Sequence, residues 1–405
     1  MIPRKRIDIG GTDLACGIAG CFMPGDAAII EQRIARSWND GHATVACLSV
    51  RSGFDALLGV LALPPGSEVL ISAVTLFDMA RVIEAHGLVA VPVDLDMQTL
   101  AVSQDTLSRA LTPRTRAVLV AHLFGSRMSM RGIAEFSDKN KILLLEDCAQ
   151  AYTGDAWRGD PASDVRMFSF GPIKTATALG GAVLSFRDAA LRDKVREYMA
   201  RWPVQSRGYY LLRLLKYSLF AFFNNRTVYG AFAAACRWLG TTHEAVVSGA
   251  VRGFGGVEFF SGIRKRPSVP LLRLMLRRIA HGEQRCVARR VACSRQLLAL
   301  APQPRHAGTR AASHTHWVFP VEESRAQALI DHLAARGFDA ACGTSSLGVI
   351  DPPAGRESAV EARRTFENIL YLPAHEGMDA RDIERLAAAL AEFETPQMTE
   401  PLKVP

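Results

Sequence analysis

The sequence of 405 residues has little of what marks a secreted or membrane-spanning protein. Its eight cysteines are scattered without a Cys-x-x-Cys pair, which favours reduced thiols over disulfides or a zinc site. No apolar stretch is both long enough and uninterrupted enough to cross a bilayer. The basic N-terminal residues are followed by acids and short apolar runs rather than by a signal peptide. We therefore expect a cytoplasmic protein, and no metal is implied.

Acidic residues are scarce in one region, residues 201–295, which holds three of them against 17 Lys and Arg, a local charge of +14. The rest of the chain has 31 basic and 37 acidic residues, a charge of −6. The excess positive charge therefore belongs to this region, which must attract an anionic partner or lie against one. No nucleic-acid recognition motif accompanies it, so nucleic acid is not expected as a partner.

The composition that is present, 49% hydrophobic and 22% charged residues, is that of an ordinary globular protein. The length allows one large domain and a smaller one. We expect a large domain over residues 1–262, a linking helix over residues 263–300 and a small α+β domain over residues 301–405.

Strand-like and helical patterns alternate through the first half of the chain. Residues 26–40 have helical spacing, residues 43–48 are strand-like, and the alternation continues to the strand that ends at Asp147. This spacing predicts parallel βαβ units, and hence an α/β domain whose mainly parallel sheet is sandwiched by helices. Ligands in such sheets bind beyond the carboxyl ends of the strands. Four polar residues fall near these ends: Ser52, Thr75, His122 and Asp147.

Two stretches carry candidate chemistry. Lys174 lies between a short apolar run and a Gly-rich turn, and the upstream strand ends on Asp147, which suggests a lysine and a carboxylate holding one cofactor. Ser52 and Gly53 open a helix, and the free backbone N–H groups there suit a phosphate. Taken singly, each feature has an ordinary explanation, because surface lysines are usually solvated and Ser or Asp often caps a helix.

Taken in order, the motifs from about residue 28 to 187 resemble the sugar aminotransferases of the DegT/DnrJ/EryC1/StrS group, pyridoxal-phosphate enzymes of fold type I. The likeness resumes at residues 365–386, which are similar to the closing segment of that family. The motifs are Ser-Gly-x-Asp-Ala-Leu, Glu-Val-Leu-Ile-Ser, Val-Asp-x-Asp, Leu-Thr-Pro-Arg-Thr-Arg-Ala, His-Leu-Phe-Gly, Glu-Asp-x-Ala-Gln-Ala and Phe-Ser-Phe-x-x-x-Lys. Each motif alone is common, whereas their order is specific.

The resemblance implies roles for particular residues. Lys174 would form a Schiff base with pyridoxal 5′-phosphate and move the proton between substrate and cofactor. Asp147 would face the pyridine nitrogen and keep it protonated. Gln150 would lie near the ring and its phenolic oxygen. The phosphate would be held by three residues: Ser52, Gly53 and Ser169.

The chain departs from the family at several cofactor positions. Phe54 stands where the family usually has Thr, and Leu76 stands where an aromatic residue often stacks on the cofactor. The loop with which the family's partner subunit reaches the phosphate is replaced by residues 263–268. We hypothesise that Arg264 or Arg266 supplies the phosphate contact by a charge-assisted hydrogen bond across a homodimer.

Residues 203–262 form an insertion that the resemblance does not explain. Two very apolar stretches in it, residues 209–223 and 228–239, are separated by a turn, and the first carries Arg213 and Lys216. One interpretation is a helical hairpin at a membrane surface, with arginines toward anionic lipid. The other is a helical pair packed on the core or on the dimer partner.

The C-terminal part predicts the smaller domain. Residues 270–300 have helical spacing and are expected to form the long helix between the domains. His314 and His316 alternate along a predicted strand and share one face. Because no third ligand is apparent, a solvated strand edge is favoured over a metal pair.

The resemblance implies an aminotransferase that moves an amino group from a donor such as glutamate to a keto group, most plausibly on a nucleotide-linked sugar. A dehydratase on the same cofactor is one alternative, although dehydratases of this family carry His where this chain has Lys174. A non-catalytic binding or regulatory protein that kept the fold is the other alternative.

Overall fold

A computed structural model describes residues 1–239, 258–281, 284–342 and 346–394. Its centre is a seven-stranded sheet with the strand order β1-β8-β7-β6-β5-β2-β4. Only β8 runs antiparallel to its neighbours, so the sheet is mainly parallel, as the alternating pattern predicts. The strands of this sheet are β1 (Ala43–Cys47), β2 (Glu68–Ser72), β4 (Val89–Val93), β5 (Thr115–Ala121), β6 (Leu143–Asp147), β7 (Val165–Ser169) and β8 (Ala182–Phe186).

Helices cover both faces of this sheet because alternate strand residues point to opposite sides. Val69 of β2 packs in one core with α3 and α4, whereas Leu70 packs in a second core with α5 and α6. The predicted sandwich is therefore confirmed. The helices of the first half are α1 (Gly11–Phe22), α2 (Ala27–Trp38), α3 (Val50–Leu61), α4 (Phe77–Ala85), α5 (Gln104–Ala110), α6 (Arg131–Asn140) and α7 (Ala189–Ala200).

Short polar side chains begin several of these helices. Asp26 accepts a hydrogen bond from the backbone N–H of Ala28 at the start of α2, and Ser103 with Thr106 forms a capping box at α5. Such caps satisfy donors that have no partner within the helix, and they place each helix start at the end of a strand or loop.

A four-stranded antiparallel sheet with the order β11-β13-β10-β9 forms the smaller C-terminal unit. The predicted long helix is two helices instead, α11 against α1 and α2, and α12 against α15. The apolar residues of the two helices pack in two different cores. The remaining elements are α8 (Arg207–Ala221), α9 (Arg226–Trp238), α10 (Phe259–Ile263), α11 (Val269–Ala280), α12 (Gln284–Leu300), α13 (Ala326–Ala335), α14 (Val360–Phe366), α15 (Ala380–Glu394), β3 (Val74–Leu76), β9 (Arg305–His306), β10 (Phe319–Glu322), β11 (Ala341–Cys342), β12 (Leu347–Val349) and β13 (Ile369–Leu372).

Strand pairing is among the contacts that join the smaller sheet's part of the chain to the large one. Strand β12 pairs with β3 in a separate two-stranded sheet, and the N-terminal Ile2 pairs with Phe338. The N-terminus therefore crosses to the C-terminal part, a course that the sequence patterns do not reveal. Residues 395–405 of the predicted small domain lie outside the described residues.

The insertion over residues 203–262 forms two helices joined by a short 3-10 turn at Phe222–Asn224, as the sequence predicts. Helix α8 packs on α1 through Tyr210, Leu214 and Tyr217, which are buried. Residues 240–257 of the insertion lie outside the described residues. Among the helices that the structure describes, none is long and apolar enough to cross a membrane.

Candidate active site

Lys174 lies in the loop that joins β7 to β8, beyond the carboxyl end of β7. Its backbone N–H donates to the carbonyl of Gly171 at 3.0 Å. The N–H groups of Ala178 and Gly180 both donate to the carbonyl of Phe170 at 3.0 Å, and Ala176 adopts a left-handed φ of 55°. These bonds fold the loop tightly, so the lysine projects from a fixed backbone.

Asp147 is the last residue of β6, which is the neighbour of β7 in the sheet. Its Oδ1 accepts the N–H of Ala149 at 2.9 Å, and Oδ2 has no hydrogen-bond partner among the residues that the structure describes. Burial raises the pKa of the Asp147 carboxyl, while the Ala149 N–H and the charge of Lys174 act in the opposite direction. The structure therefore brings together the lysine and the acid that the sequence singled out.

The Lys174 amine is the most chemically distinctive group of the site. Burial lowers its pKa to about 8, the charge of Asp147 acts to raise it, and the charge of Arg51 lowers it further. An amine with this pKa has a much larger neutral fraction near neutral pH than an exposed lysine. A neutral amine can attack a carbonyl or accept a proton, which suits a nucleophile or a general base.

Trp317 forms one wall beside Lys174. The Nζ of Lys174 lies 4.1 Å from the centroid of the indole ring, and the indole N–H donates to the carbonyl of Ile173 at 2.9 Å. The Nζ of Lys5 lies 3.5 Å from the same ring. The large indole is mostly buried and covers the catalytic loop, so it restricts water at the amine.

Gln150 follows Asp147 by one turn and is held from the neighbouring loop. Its Oε1 accepts the N–H of Phe124 at 2.8 Å, which leaves the amide NH₂ to face a ligand. Behind it, the buried Glu146 accepts a 2.7 Å hydrogen bond from His122. Ser163 and the N–H of Asp160 also donate to Glu146. This satisfied network supports the end of β6 rather than binding a ligand itself.

The predicted phosphate residues lie at the start of α3 and at the end of β7. Ser49 caps α3 by accepting the N–H of Ser52 at 3.2 Å, and the two hydroxyl oxygens are 2.8 Å apart. The hydroxyl of Ser169 accepts the N–H of Gly171 at 3.2 Å and keeps its proton to donate. A Cβ on Gly53 would lie 2.6 Å from Leu184, so this glycine lets α3 approach β8 closely.

Phe54 and Leu76, two of the predicted cofactor residues, both pack against apolar parts of the protein, and their contact with a cofactor stays a prediction. Phe54 is fully buried on α3 and packs in the core between the helix and the sheet. Leu76 ends β3 and pairs with Leu347 of β12. At both positions an apolar residue packs inside the protein where the family more often has a side chain that contacts cofactor.

Arg264 forms two 2.9 Å hydrogen bonds with the carboxylate of Asp55, which is fully buried on α3. Arg266 donates instead to the carbonyl of Trp202 at 3.1 Å. Within one chain Arg264 therefore braces the helix whose first turn is the predicted phosphate site. A contact of either arginine with the phosphate of a partner subunit stays a prediction.

Four cationic or aromatic residues near the site were not identified from the sequence. Arg51 comes directly before the Ser-Gly motif and pairs with Asp78. Its position next to Ser52 could have identified it from the sequence as a residue of the phosphate site. No local signal marked the others, because they come from distant parts of the chain. They are Lys5, Arg290 and Trp317.

The residues present fit pyridoxal phosphate. The charges of Lys174 and Asp147 influence each other's pKa, and Oδ2 of Asp147 has no hydrogen-bond partner among the described residues. A lysine amine and a carboxylate of this kind suit the two ends of a pyridoxal ring. Hydroxyl groups at a helix N-terminus, next to Arg51, suit the phosphate. The fold and this set of residues together fit a protein that binds pyridoxal phosphate.

Residues 27–208 match the model of the DegT/DnrJ/EryC1/StrS aminotransferase family. It is 32% identical over 182 residues to the L-glutamine:2-deoxy-scyllo-inosose aminotransferase of Micromonospora echinospora, a match that covers 42% of each chain. It is also 32% identical over 153 residues to the 3-amino-5-hydroxybenzoate synthase of Amycolatopsis mediterranei, covering 36% of this chain and 39% of the relative. The match thus spans less than half the length of these curated relatives.

The solved structures extend the likeness of fold to nearly the whole chain. The aminotransferase TlmJ of Streptoalloteichus hindustanus matches with a TM-score of 0.71 and 21% identity, covering 97% of this chain and 100% of that one. A DegT DnrJ EryC1 StrS aminotransferase of Brucella abortus matches with a TM-score of 0.69 and 17% identity, covering 96% and 99%. The predicted fold class is therefore confirmed for the C-terminal unit as well as for the large sheet.

Proposed function

We propose that the protein is a pyridoxal-phosphate-dependent aminotransferase that moves an amino group from a donor such as glutamate to a keto group. The observation that carries the proposal is the amine of Lys174, whose pKa is lowered to about 8 and which faces Asp147 at the ends of adjacent strands. The match of residues 27–208 to the model of an aminotransferase family supports the same conclusion.

When bound, the cofactor supplies an electron-withdrawing ring that stabilises negative charge on the substrate carbon. Lys174 would hold the cofactor covalently and, as a free amine, would move the proton at that carbon. The charge of Asp147 would keep a proton on the pyridine nitrogen. Gln150, oriented by Phe124, would offer its amide to the ring, and Trp317 would keep water away from Lys174.

Replacement of Lys174 tests the proposal directly. The purified protein should show the visible absorbance of a lysine-bound cofactor, and Lys174→Ala should lose this band while remaining folded. Lys139→Ala removes an exposed lysine from α6 and serves as the control. A protein that never takes up the cofactor would remove the enzyme proposal and leave the binding or regulatory alternative.

The acceptor is proposed to be a keto group on a nucleotide-linked sugar. A relative that is named for amination of a ring ketone, 2-deoxy-scyllo-inosose, supports a polyhydroxylated cyclic ketone in general. A screen of keto-sugar nucleotides and free cyclic ketones, each with glutamate or glutamine as donor, distinguishes the two classes. Amination of free cyclic ketones alone would replace the nucleotide-sugar proposal while leaving the aminotransferase proposal intact.

The dehydratase alternative makes a different prediction at the same residue. Amino transfer needs a lysine to hold the cofactor and move the proton, and Lys174 is present with the lowered pKa that this role requires. A dehydratase would release water from the sugar without consuming the amino donor. Product analysis with and without glutamate separates the two reactions.

A homodimer is proposed as the working form, with Arg264 or Arg266 near the phosphate of the partner subunit. The bidentate pair with Asp55 fixes Arg264 on the surface of its own chain, with its side chain 40% exposed and so able to meet a partner subunit. Arg264→Ala should weaken cofactor retention if the contact exists. If Arg264→Ala and Arg266→Ala both retain the cofactor as well as the unaltered protein does, this part of the proposal is wrong.

The insertion is proposed to contact a membrane surface peripherally. Helix α8 buries one side against α1 but leaves Leu212 68% exposed and Leu219 62% exposed, and Phe222 just beyond the helix is 65% exposed. Arg213 and Lys216 lie on the same helix and suit anionic lipid. The buried face of α8 thus agrees with a helix packed on the core, and its exposed apolar face agrees with a helix at a membrane surface.

Flotation with anionic vesicles tests this contact. Binding at low salt should fall in a Leu212→Ser/Leu219→Ser double variant. Val360→Ser, at an equally exposed apolar residue of α14, should leave flotation unchanged. No flotation of the unaltered protein would remove the membrane contact and leave the exposed face to a protein partner. A cytoplasmic location stays a prediction.

A further inference from the structure

Three histidines outside the loop of Lys174 lie close together in the C-terminal unit. His306 belongs to β9, and His314 and His316 belong to the segment that leads into β10. The ring centroid of His306 lies 5.4 Å from that of His314 and 5.4 Å from that of His316, and the last two are 4.2 Å apart. One nitrogen of each ring lies within 4.8 Å of the others.

The rings are buried and largely without hydrogen bonds. His306 is 2% exposed and His316 is 5% exposed, so His316 does not belong to the solvated strand edge that the sequence favoured for His314 and His316. Four buried nitrogens have no partner among the described residues: Nδ1 and Nε2 of His306, Nε2 of His314 and Nδ1 of His316. A buried polar group without a partner costs about 1–3 kcal/mol, and such groups are normally paired. Four together point to a ligand that all three rings share.

The chemistry of the three rings selects the kind of ligand. A neutral imidazole has one nitrogen with a lone pair, and each of the three rings has a buried nitrogen without a partner among the described residues. Imidazole nitrogens suit Zn²⁺ and neighbouring first-row metals, whereas Mg²⁺ and Ca²⁺ take oxygen ligands. A tetrahedral Zn²⁺ with bonds of about 2.0–2.1 Å holds its nitrogens about 3.4 Å apart. The rings would therefore close by about an ångström around the ion.

Two features oppose binding. The charges of Arg290 and Arg295 lie near His316 and repel a cation. The Nδ1 of His314 accepts the backbone N–H of His316 at 2.9 Å, so its proton is on Nε2. A metal at Nε2 displaces that proton and requires one on Nδ1, which breaks the bond to the His316 N–H.

We propose that His306, His314 and His316 bind one Zn²⁺ or a similar divalent transition-metal ion that ties β9 to the segment before β10. The same segment continues directly into Trp317, the indole that covers Lys174. The metal would therefore stabilise the segment that delivers this wall of the active site. The role of the site in this proposal is structural, because the ion would hold two segments of the C-terminal unit together.

The test uses the full chain loaded with cofactor and freed of metal by a chelator. Titration with Co²⁺, which reports tetrahedral nitrogen ligands by its visible absorbance, should give one ion per chain, and Zn²⁺ should displace it. His306→Ala and, separately, the less buried His314→Ala should each lower the affinity at least tenfold. His281→Ala, an exposed histidine elsewhere on the chain, should leave it unchanged.

Two further measurements keep the test independent of folding defects. Zn²⁺ should raise the melting temperature of the unaltered protein but not of either histidine variant, and it should speed exchange of the His316 amide proton. No uptake at equimolar Co²⁺, or uptake that both histidine variants retain, overturns the proposal. Neither result bears on the aminotransferase activity, which is measured separately.

Discussion

Gly125 accepts two hydrogen bonds from Thr315, one from its backbone N–H at 2.8 Å and one from its hydroxyl at 2.9 Å. These bonds fasten the segment before β10 to the loop that follows β5. Because Trp317 is two residues further on, they also place its indole over Lys174. The position of the Trp317 indole thus depends on one glycine in the loop that follows β5.

Gly125→Ala should destabilise the protein and weaken cofactor binding. The φ of Gly125 is 96°, and a Cβ there would lie 2.6 Å from the backbone nitrogen of Trp317, so both strain and overlap are expected. We expect a loss of about 2–5 kcal/mol in the free energy of unfolding, measured by urea denaturation. Gly66→Ala is the matched control, since its φ is 78° but the space around it is open. Equal losses in the two variants would contradict the role of the close approach.

Asp147→Asn should lower the pKa of Lys174 further below its present value of about 8, because the negative charge of Asp147 acts to raise it. We expect a shift of about one unit. The pH dependence of the reaction of cofactor-free protein with an amine-selective reagent measures it, with Asp105→Asn on the exposed side of α5 as control. A Lys174 pKa that rises in Asp147→Asn would show that the two groups do not interact as described.

Lys5→Met should stabilise the protein. The Nζ of Lys5 is buried without a hydrogen-bond partner among the described residues, and burial, followed by the charge of Lys174, holds its pKa well below the ordinary value. Removing this group should raise the free energy of unfolding by about 1–3 kcal/mol near neutral pH. A buried polar group that costs stability is typical of a binding site. We therefore expect Lys5→Met also to raise the KM for an anionic amino donor.

The increase in the free energy of unfolding caused by Lys5→Met should depend on pH. A lysine whose pKa is lowered by folding costs stability in full below its folded pKa, and this cost falls to zero as the pH rises to the unfolded pKa of about 10.4. The difference between the variant and the unaltered protein should therefore shrink as the pH rises from the lowered pKa of Lys5 and should be smallest above about pH 10.4. Lys139→Met, at an exposed site, should change little at any pH. A destabilised Lys5→Met would mean that the ammonium has a partner in the folded chain.

Glu146→Gln should destabilise the protein near neutral pH by about 1–3 kcal/mol, because it breaks a buried network. Burial acts to raise the pKa of Glu146, but the hydrogen bond from His122 and those from Asp160 and Ser163 hold it below the ordinary value. The carboxylate therefore stabilises the fold above its unfolded pKa of about 4.3, and this contribution is lost as the pH falls through the folded pKa.

Chemical denaturation between pH 3 and 7 follows this effect, and the difference between Glu146→Gln and the unaltered protein should narrow toward low pH. Glu135→Gln removes an exposed pair with Arg131 and should cost no more than about 0.5 kcal/mol. A constant difference in the free energy of unfolding across this pH range would show that the contribution of Glu146 to stability does not depend on its charge.

The alternation of strands and helices and the association of Lys174 with Asp147 could be predicted from the sequence. Both follow from local patterns, since apolar periodicity marks each strand and parallel strands bring their carboxyl ends to one edge of the sheet. The division of residues 269–300 into two helices could not, because both stretches have the same helical spacing and differ in the helices that they pack against.

The sequence by itself determined the α/β architecture, the candidate lysine and acid, and the two-helix insertion, because each depends on residues close together in the chain. Only the tertiary structure placed Lys5 and Trp317 beside Lys174, and only it brought His306 to His314 and His316. These residues belong to segments that meet through the docking of the N-terminus and of the segment before β10 onto the large sheet. Such contacts depend on packing between distant segments, for which a single sequence has no periodic signal.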